Sequence, residues 1–187
     1  MSLIVAENLV KQYGHGDAAV TALSGISFQI EPGDFVGAMG ESGAGKSTLL
    51  AILGAMTAPT LGSLTVDEID VYSLGQEQRA DFRREFIGFI FQSFHLVPYL
   101  TVLENVMIPL SIIKISKKKK MSMAEEALSQ VGLLDKANRL PGMISGGEKE
   151  RVAIARAIGN EPPLLLTDEP TGNLDTKTSC EIMELLK

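Results

Sequence analysis

The segment from Gly40 to Thr48, GESGAGKST, contains residue types that bind a nucleoside triphosphate. It fits the pattern G-x-x-x-x-G-K-[ST], in which glycines let backbone N–H groups turn toward phosphate oxygens. Lys46 can reach the β- and γ-phosphates, and the hydroxyl of Ser47 can hold Mg²⁺. The apolar run FVGAMG before it predicts a strand buried on both faces, and KSTLLAILGAM after it predicts an amphipathic helix. The sequence therefore predicts a phosphate-binding loop, the alternative being a glycine-rich turn with a chance Lys-Ser pair.

Two carboxylates, Asp168 and Glu169, end the apolar run LLLTDE. Parallel-sheet proteins place their ligands at the carboxyl ends of the strands. There Asp168 can reach the shell of Mg²⁺, and Glu169 can orient or deprotonate an attacking water. Such pairs are also common as ordinary turn or helix-entry residues. Beside a phosphate-binding loop, the pair predicts a hydrolytic site.

A second glycine cluster, Gly146-Gly147, follows Ser145 at the predicted start of a helix. Ser145 at the N-cap and Glu148 three residues later form a capping box, which explains these two residues but not the glycines. Glycine disfavours a helix by about 1 kcal/mol at each position, so the pair suggests that a ligand approaches the backbone closely. A γ-phosphate at the helix N-terminus would account for both glycines.

The hydrophobic pattern around these segments predicts an α/β fold. LIVAENLV and ISFQI alternate as strands and predict an antiparallel start, and PPLLLTDEP predicts a short buried strand near the end. Strand signals vanish from Ser93 to Gly142, where the pattern is helical. The sequence therefore predicts a helical lobe that is inserted in a sheet.

Composition bounds the function. The 187 residues are 45% hydrophobic and 21% charged, which is typical of one folded core with at most a smaller lobe. A net charge of -6, with no dense basic stripe outside Lys117–Lys120, argues against nucleic acid as the main partner.

The longest apolar stretch, VMIPLSIIKI, is broken by Pro109 and Lys114 and falls short of the ~20 residues of a membrane helix. We predict no direct membrane span, so any membrane connection must come through a partner.

The lysine run Lys117–Lys120 allows two interpretations. Close to a membrane, each lysine could contribute about 1 kcal/mol of attraction to anionic lipid head groups. We favour a solvated loop that precedes a helix, with Ser122 and Glu125 as the capping box of that helix.

With these motifs in order along essentially its whole length, the chain resembles the ATP-binding-cassette (ABC) ATPase family. The motifs are the loop at 40–48, Gln92 after FIF, ISGGE at 144–148, LLLTDEP at 164–170 and NLD at 173–175. The resemblance implies a P-loop NTPase fold with a mostly parallel central sheet, an antiparallel β element at the N-terminus and an inserted helical lobe. It also implies a single nucleotide-binding domain over 1–187, with an ATP-binding core (1–92 and 160–187) and a helical lobe that carries the signature motif (93–159).

The resemblance also assigns the site residues. In the family, the Ser-Gly-Gly segment closes over ATP held by a second subunit, so that two ATP molecules lie between head-to-tail protomers. Ser145, Gly146 and Gly147 would then contact the opposing γ-phosphate, and Asp175 would lie along the interface. The residues assigned to catalysis are Lys46, Gln92 and Glu169, and those assigned to Mg²⁺ are Ser47, Gln92 and Asp168. The residues assigned to ATP binding are Tyr13, Gly40, Glu41, Ser42, Gly43, Ala44, Gly45, Lys46, Ser47, Thr48, Gln92, Ser145, Gly146, Gly147 and Asp168.

Tyr13 and Gln92 each have an ordinary structural interpretation beside the assigned one. Tyr13 would stack on adenine, although a half-buried aromatic residue ending a strand has the same sequence signal. Gln92 would join the shell of Mg²⁺ and water to the helical lobe, where transmembrane partners dock. A polar residue that merely ends a strand would look the same outside this context.

The function implied by the resemblance is that of an ATP-hydrolysing transporter subunit. Such a subunit closes as a homodimer on ATP, moves transmembrane permease subunits, and lies in the cytoplasm on the inner face of the membrane. FQSFHLVPYLTVLENV and PTGNLD are most similar to the lipoprotein-releasing, macrolide-exporting and cell-division branch. One alternative is a nucleotide-binding interaction module that does not turn over. Another is a DNA-repair or chromosome-maintenance ATPase with a related head. Such heads commonly carry long coiled-coil insertions, and no sustained heptad run is present.

The sequence departs from the family pattern in two places. Glu148 stands where the common signature has glutamine, and its charge near a γ-phosphate predicts a penalty on the order of 1 kcal/mol for the ATP-bound dimer. Family members continue with another strand and a histidine that contacts the γ-phosphate, whereas this chain has only His15 and His95. The resemblance therefore implies a C-terminally truncated domain and leaves the module without turnover open.

Overall fold

The computed structural model describes residues 2–169 and 176–186. They form two compact units, Met1–Arg83 and Arg84–Lys187. The NLD motif and Asp175, the predicted interface residue, lie outside the described residues. The division into a core (1–92 and 160–187) and a lobe (93–159) stays a prediction.

The first unit is built on a four-stranded antiparallel sheet in the order β2-β1-β3-β4. Its strands are β1 (Ile4–Tyr13), β2 (Val20–Ile30), β3 (Leu61–Val66) and β4 (Ile69–Asp70). The side chains of Ile4, Ala6 and Leu9 are all buried, although a spacing of three would place Ala6 and Leu9 on opposite faces of a regular strand. A register shift between them, with Asn8 at a φ of 47°, brings both to the core. The predicted antiparallel start is confirmed.

The helix that follows the glycine loop is fixed at its far end. This helix, α1 (Lys46–Leu53), is followed along the chain by α2 (Gln76–Phe86). The hydroxyl of Tyr72 lies 2.6 Å from the carbonyl oxygens of both Ile52 and Thr57. Arg83 Nη1 donates to the carbonyl oxygen of Ala55 at 2.9 Å. These contacts satisfy carbonyl groups in the last turn of α1 and just beyond it, and they hold the helix in place.

The predicted strand at FVGAMG is wrong. Residues 34–40 have no regular secondary structure, and Phe35, Val36 and Met39 are 56%, 62% and 96% exposed. A strand needs hydrogen-bond partners for its backbone, and none of the strands within residues 2–169 and 176–186 pairs with this segment. An apolar run predicts burial, but it does not identify the neighbour that would bury it.

The second unit consists of a parallel strand pair with helices inserted between the two strands. The strands are β5 (Ile87–Ile90) and β6 (Leu164–Thr167), which pair in parallel from Ile87↔Leu164 to Ile90↔Thr167. Between them along the chain lie α3 (Val102–Leu110), α4 (Lys117–Gln130) and α5 (Gly146–Ile158), and α6 (Thr176–Leu185) follows. The predicted insertion of helices is confirmed, and the parallel pairing is present in β5 and β6.

The helices of the second unit share one apolar core with β5. Val106 and Leu110 of α3, Leu128 of α4 and Ile154 of α5 are all at most 1% exposed. The buried amide of Asn105 accepts from Val97 N at 2.7 Å and donates to the carbonyl oxygens of Val97 and Leu100 at 3.1 Å. It thereby fixes the loop that precedes α3.

The start of α4 differs from the prediction. Ser116 is the N-cap, because its side chain accepts from the backbone N–H of Lys119 at 3.3 Å. Ser122 and Glu125 lie inside the helix and cannot form the predicted capping box, and Lys117–Lys120 are its first turn instead of a loop. In the part of the chain that the structure describes, no helix has the length and hydrophobicity needed to span a membrane.

One acidic side chain, Glu150 of α5, is buried in the second unit. The residue is 1% exposed, and its Oε1 has no hydrogen-bond partner among the described residues. Burial raises the pKa of the Glu150 carboxyl to about 7, because the ionised form loses its hydration. The fold therefore holds this group in its protonated form below neutral pH.

We predict that Glu150→Gln stabilises the chain at alkaline pH. The pKa of Glu150 is higher in the folded state than in the unfolded state. The stability that its protonated form contributes to the fold is therefore fully present below pH 4.5 and is lost as pH rises through about 7. Glutamine should raise the free energy of unfolding by about 3 kcal/mol at pH 8 and by about 1 kcal/mol or less at pH 5. Urea unfolding at both values measures this, with the exposed Glu125→Gln as control. An equal effect at both pH values would contradict the assignment.

Candidate functional site

The glycine loop wraps around the ammonium group of Lys46. Lys46 Nζ donates to the carbonyl oxygens of Gly40 at 2.8 Å and Glu41 at 2.9 Å, and Ala44 N donates to the carbonyl oxygen of Glu41 at 3.2 Å. Lys46 is also the first residue of α1, so its charge and the helix N-terminus lie together. A positive charge and backbone N–H groups at one loop suit a triphosphate.

Two glycines of the loop are required for different reasons. Gly43 and Gly45 have φ values of 84° and 90°, in the left-handed region that favours glycine. A Cβ on Gly45 would overlap the carbonyl oxygen of Ala22 and lie 3.0 Å from Leu23 Cδ2, whereas a Cβ on Gly43 would meet nothing within 4 Å. Gly45 therefore seats the start of α1 against β2, and Gly43 serves the turn alone. Ser47 follows on the exposed side of the first turn.

Tyr13 ends β1 with its side chain 46% exposed. Lys11 Nζ lies 5.1 Å from the centroid of the Tyr13 ring, close enough for a cation–π interaction. The ring is thus a half-exposed aromatic surface at a strand end. Its stacking on adenine stays a prediction.

In the second unit, the carboxyl ends of β5 and β6 bring two predicted site residues together. Gln92 Nε2 donates to Glu169 Oε2 at 2.9 Å. Asp168 N donates to the carbonyl oxygen of Ile90 at 3.0 Å, which continues the parallel pairing by one residue. Glu169 then turns away at a φ of 49°. The strand register therefore places an amide and a carboxylate side by side although 77 residues separate them in sequence.

This pair has the chemistry to orient a water molecule. The carboxylate of Glu169 can accept a proton or a hydrogen bond, and Gln92 fixes one of its oxygens. The assigned Mg²⁺ ligands, the Ser47 hydroxyl, the Asp168 carboxylate and the Gln92 amide, offer the hard oxygen atoms that Mg²⁺ prefers. Their chemistry fits the ion. Ser47 lies in the first unit, and the other two lie in the second.

The N-terminus of α5 has the predicted capping box. The Ser145 side chain accepts from Glu148 N at 3.3 Å, and Glu148 Oε2 accepts from Ser145 N at 2.8 Å. Ser145 and Gly146 are exposed, and a Cβ on Gly146 would meet nothing within 4 Å. The packing of this chain therefore does not require a glycine at position 146.

The expected penalty from the charge of Glu148 has to be revised. Lys136 Nζ pairs with Glu148 Oε1, and the two side chains are only 23% and 15% exposed. The hydrogen bonds from Lys136 and Ser145 lower the pKa of Glu148 to about 2. Because Lys136 supplies an opposite charge at contact distance, Glu148 presents little net charge to an approaching phosphate. The sequence could not reveal this pair, since Lys136 lies in the 3₁₀ turn Leu134–Lys136 and Glu148 lies in α5.

A second basic residue, Arg156 of α5, was also missed. It donates from Nη1 to the carbonyl oxygen of His95 at 2.7 Å and from Nη2 to that of Phe94 at 2.6 Å. These carbonyls belong to the loop that follows Gln92. An arginine within the apolar run VAIARAI was the available signal, because a charge on a buried helix face needs partners.

The sequence and the fold are both similar to those of known proteins. The sequence profile described as ABC transporter matches residues 23–172. The lipoprotein-releasing system ATP-binding protein LolD of Geobacter metallireducens is 47% identical over 186 residues, covering 100% of this chain and 83% of that protein. The macrolide export ATP-binding/permease protein MacB of Syntrophobacter fumaroxidans is 44% identical, covering 100% of this chain and 26% of that protein. The dimeric cassette MJ0796 of Methanocaldococcus jannaschii, solved in a post-hydrolysis state bound to ADP and Pi, has a TM-score of 0.87 at 42% identity, covering 98% of this chain and 81% of that one.

We predict that Gly45→Ala destabilises the chain more than Gly43→Ala does. Both alanines must adopt a left-handed φ, which costs about 1–2 kcal/mol, but only alanine 45 also overlaps the backbone of β2. The expected loss of unfolding free energy is about 1–2 kcal/mol for Gly43→Ala and about 3 kcal/mol or more for Gly45→Ala. Urea unfolding without nucleotide measures the difference. Equal losses would show that Gly45 does not seat α1 on β2.

Proposed function

The chain belongs to the ABC transporter family, and from this premise we propose that it is the ATP-hydrolysing subunit of a transporter. It binds ATP, closes with a second copy in head-to-tail orientation, and opens after hydrolysis. That cycle moves transmembrane permease subunits. The observation that carries the hydrolytic part of this proposal is the hydrogen bond between Gln92 and Glu169 at the ends of two parallel strands.

The glycine loop is proposed to hold the triphosphate. Lys46 exchanges the carbonyl oxygens of Gly40 and Glu41 for β- and γ-phosphate oxygens, which offer it a full opposite charge. The remaining loop residues, Glu41 to Thr48, supply backbone N–H groups, and Tyr13 stacks on adenine. The binding of ADP and phosphate by the related cassette MJ0796 supports this assignment.

Hydrolysis is assigned to groups on the second unit together with the loop. Ser47, Asp168 and Gln92 would hold Mg²⁺, which neutralises charge on the phosphates when bound. Glu169 orients the attacking water and accepts its proton, and Gln92 keeps the carboxylate aimed. A nucleotide-binding module without turnover would have no need for this pair, so we favour the enzyme.

The second copy is proposed to contact the nucleotide through the N-terminus of α5. Ser145, Gly146 and Gly147 present a capped helix start, and Gly146 has open space where a side chain would lie. A helix N-terminus attracts phosphate. Because only the ATP-bound state gains this contact, nucleotide state shifts the balance between closed and open pairs.

The names of the relatives support the proposed transmembrane partners and location. LolD is named as part of a lipoprotein-releasing system and MacB as a macrolide exporter with its own permease. We place this chain in the same branch, on the cytoplasmic face of the membrane, attached through permease subunits.

We predict that Glu169→Gln abolishes turnover without loss of ATP binding. The amide keeps the shape of the side chain but cannot accept a proton from water, so kcat should fall by about 100-fold or more while ATP affinity changes by about twofold or less. Phosphate release and equilibrium binding of labelled ATP measure the two quantities. The exposed Glu126→Gln serves as control. Unchanged turnover in Glu169→Gln would refute the assigned role.

We predict that Gly146→Ala weakens the ATP-induced pair but not the single chain. Alanine favours a helix by about 1 kcal/mol over glycine, so the unfolding free energy should stay the same or rise slightly. The added methyl group would crowd the opposing nucleotide, and ATP-induced association should weaken by about tenfold or more. Sedimentation with ATP in the Glu169→Gln background measures this. Association as tight as with glycine would contradict the proposed contact.

A further inference from the structure

Arg156 joins helix α5 to the loop that carries Gln92. Its guanidinium is partly buried and donates two hydrogen bonds to consecutive carbonyl oxygens, those of Phe94 at 2.6 Å and His95 at 2.7 Å. The rigid fork of a guanidinium can hold two neighbouring acceptors at once. Lysine keeps the positive charge but cannot reproduce this geometry.

The loop held by Arg156 has an unusual backbone. Phe94 and His95 have φ values of 50° and 48°, so two consecutive residues other than glycine adopt the left-handed conformation. Such conformations persist only where surrounding contacts enforce them. The ring of His95 also packs edge-on against Phe91, with centroids 5.0 Å apart. The bonds from Arg156 hold the backbone of this loop to α5.

Helix α5 connects Arg156 rigidly to Ser145. The helix is continuous from Gly146 to Ile158, and Val152, Ala153, Ile154 and Ala155 are all at most 1% exposed. At a rise of 1.5 Å per residue, Arg156 lies about 16 Å along the helix from Ser145. A well-packed helix of this length moves as one body. A displacement of its N-terminus therefore reaches the loop of Phe94 and His95.

We propose that Arg156 is a positioning residue that makes the loop carrying Gln92 move together with α5. This inference rests on the proposed function in assigning the N-terminus of α5 to the nucleotide of a second copy. A displacement of α5 by a second copy would then move the loop of Gln92 as well, and with it the hydrogen bond from Gln92 to Glu169.

Hydrogen exchange of the intact chain tests the connection without nucleotide or turnover. The amide N–H groups of Phe94 and His95 donate to the carbonyl oxygens of Phe91 and Ser93. Arg156→Lys should raise their exchange rates by about tenfold or more, because the loop is released. Arg139→Lys, a change at an exposed arginine of the same unit, should leave both rates unchanged. Unchanged exchange in Arg156→Lys would overturn the proposal.

A double-mutant cycle tests the consequence for catalysis. Arg156→Lys should lower kcat by about tenfold and change KM for ATP by about twofold or less, because the loop of Gln92 is displaced and the glycine loop is not. In a Gln92→Ala background the same substitution should have no further effect on kcat. Effects that multiply would mean that Arg156 acts only through general stability, and would overturn the proposal.

Failure of the proposed function and failure of the role of Arg156 give different results. If the unsubstituted chain shows no turnover, the proposed function fails, and the exchange experiment still decides on Arg156. If Arg156→Lys does not fold, Arg156→Gln removes the guanidinium fork and keeps a polar side chain. That variant should show the same faster exchange at positions 94 and 95, and unchanged exchange would overturn the proposal.

Discussion

The parallel pairing of β5 with β6 is the constraint on which the proposed hydrolytic site depends. Two short strands, far apart in sequence, align so that Ile90 and Thr167 end together and Asp168 continues the ladder. Gln92 and Glu169 meet only because of this register. A shift by one residue would turn the side chains of β6 to the opposite face. The three helices between the two strands share an apolar core with β5 and leave the strand pairing intact. They also add a surface of their own.

The two helix starts that suit phosphate are built in opposite ways. At the start of α1, Gly45 is sealed against β2 of the same chain, and Lys46 adds a charge at the loop. At the start of α5, the capping box satisfies the helix internally, the Lys136 pair offsets Glu148, and Gly146 faces open space. The start of α1 is packed against its own chain, whereas the start of α5 is exposed. This difference supports the proposal of a site shared by two copies.

The sequence predicted the elements that depend on local rules and missed those that depend on neighbours. Alternation located β1 and β2, and the capping pattern at Ser145 was correct, because both features are decided within a few residues. The apolar run at 35–40 predicts a strand but does not identify a partner strand for it. The serine pattern at Ser122 predicts the start of α4 there, whereas the helix is capped by Ser116. Lys136 and Arg156 could not be assigned, since their partners come from other elements. Tertiary contact, which no local pattern encodes, accounts for these differences except the start of α4, where two local serine patterns compete.

The most direct test of the shared site mixes two defective copies. One copy carries Lys46→Ala, which removes the charge of its glycine loop, and the other carries Gly146→Asp, which places a side chain and a negative charge at the start of α5. A head-to-tail pair formed from the two contains one intact loop facing one intact helix start. We predict that neither variant pairs with itself in the presence of ATP, and that the mixture of the two regains ATP-dependent association, as measured by sedimentation. A mixture that remains monomeric, or a Gly146→Asp copy that pairs on its own, would contradict it.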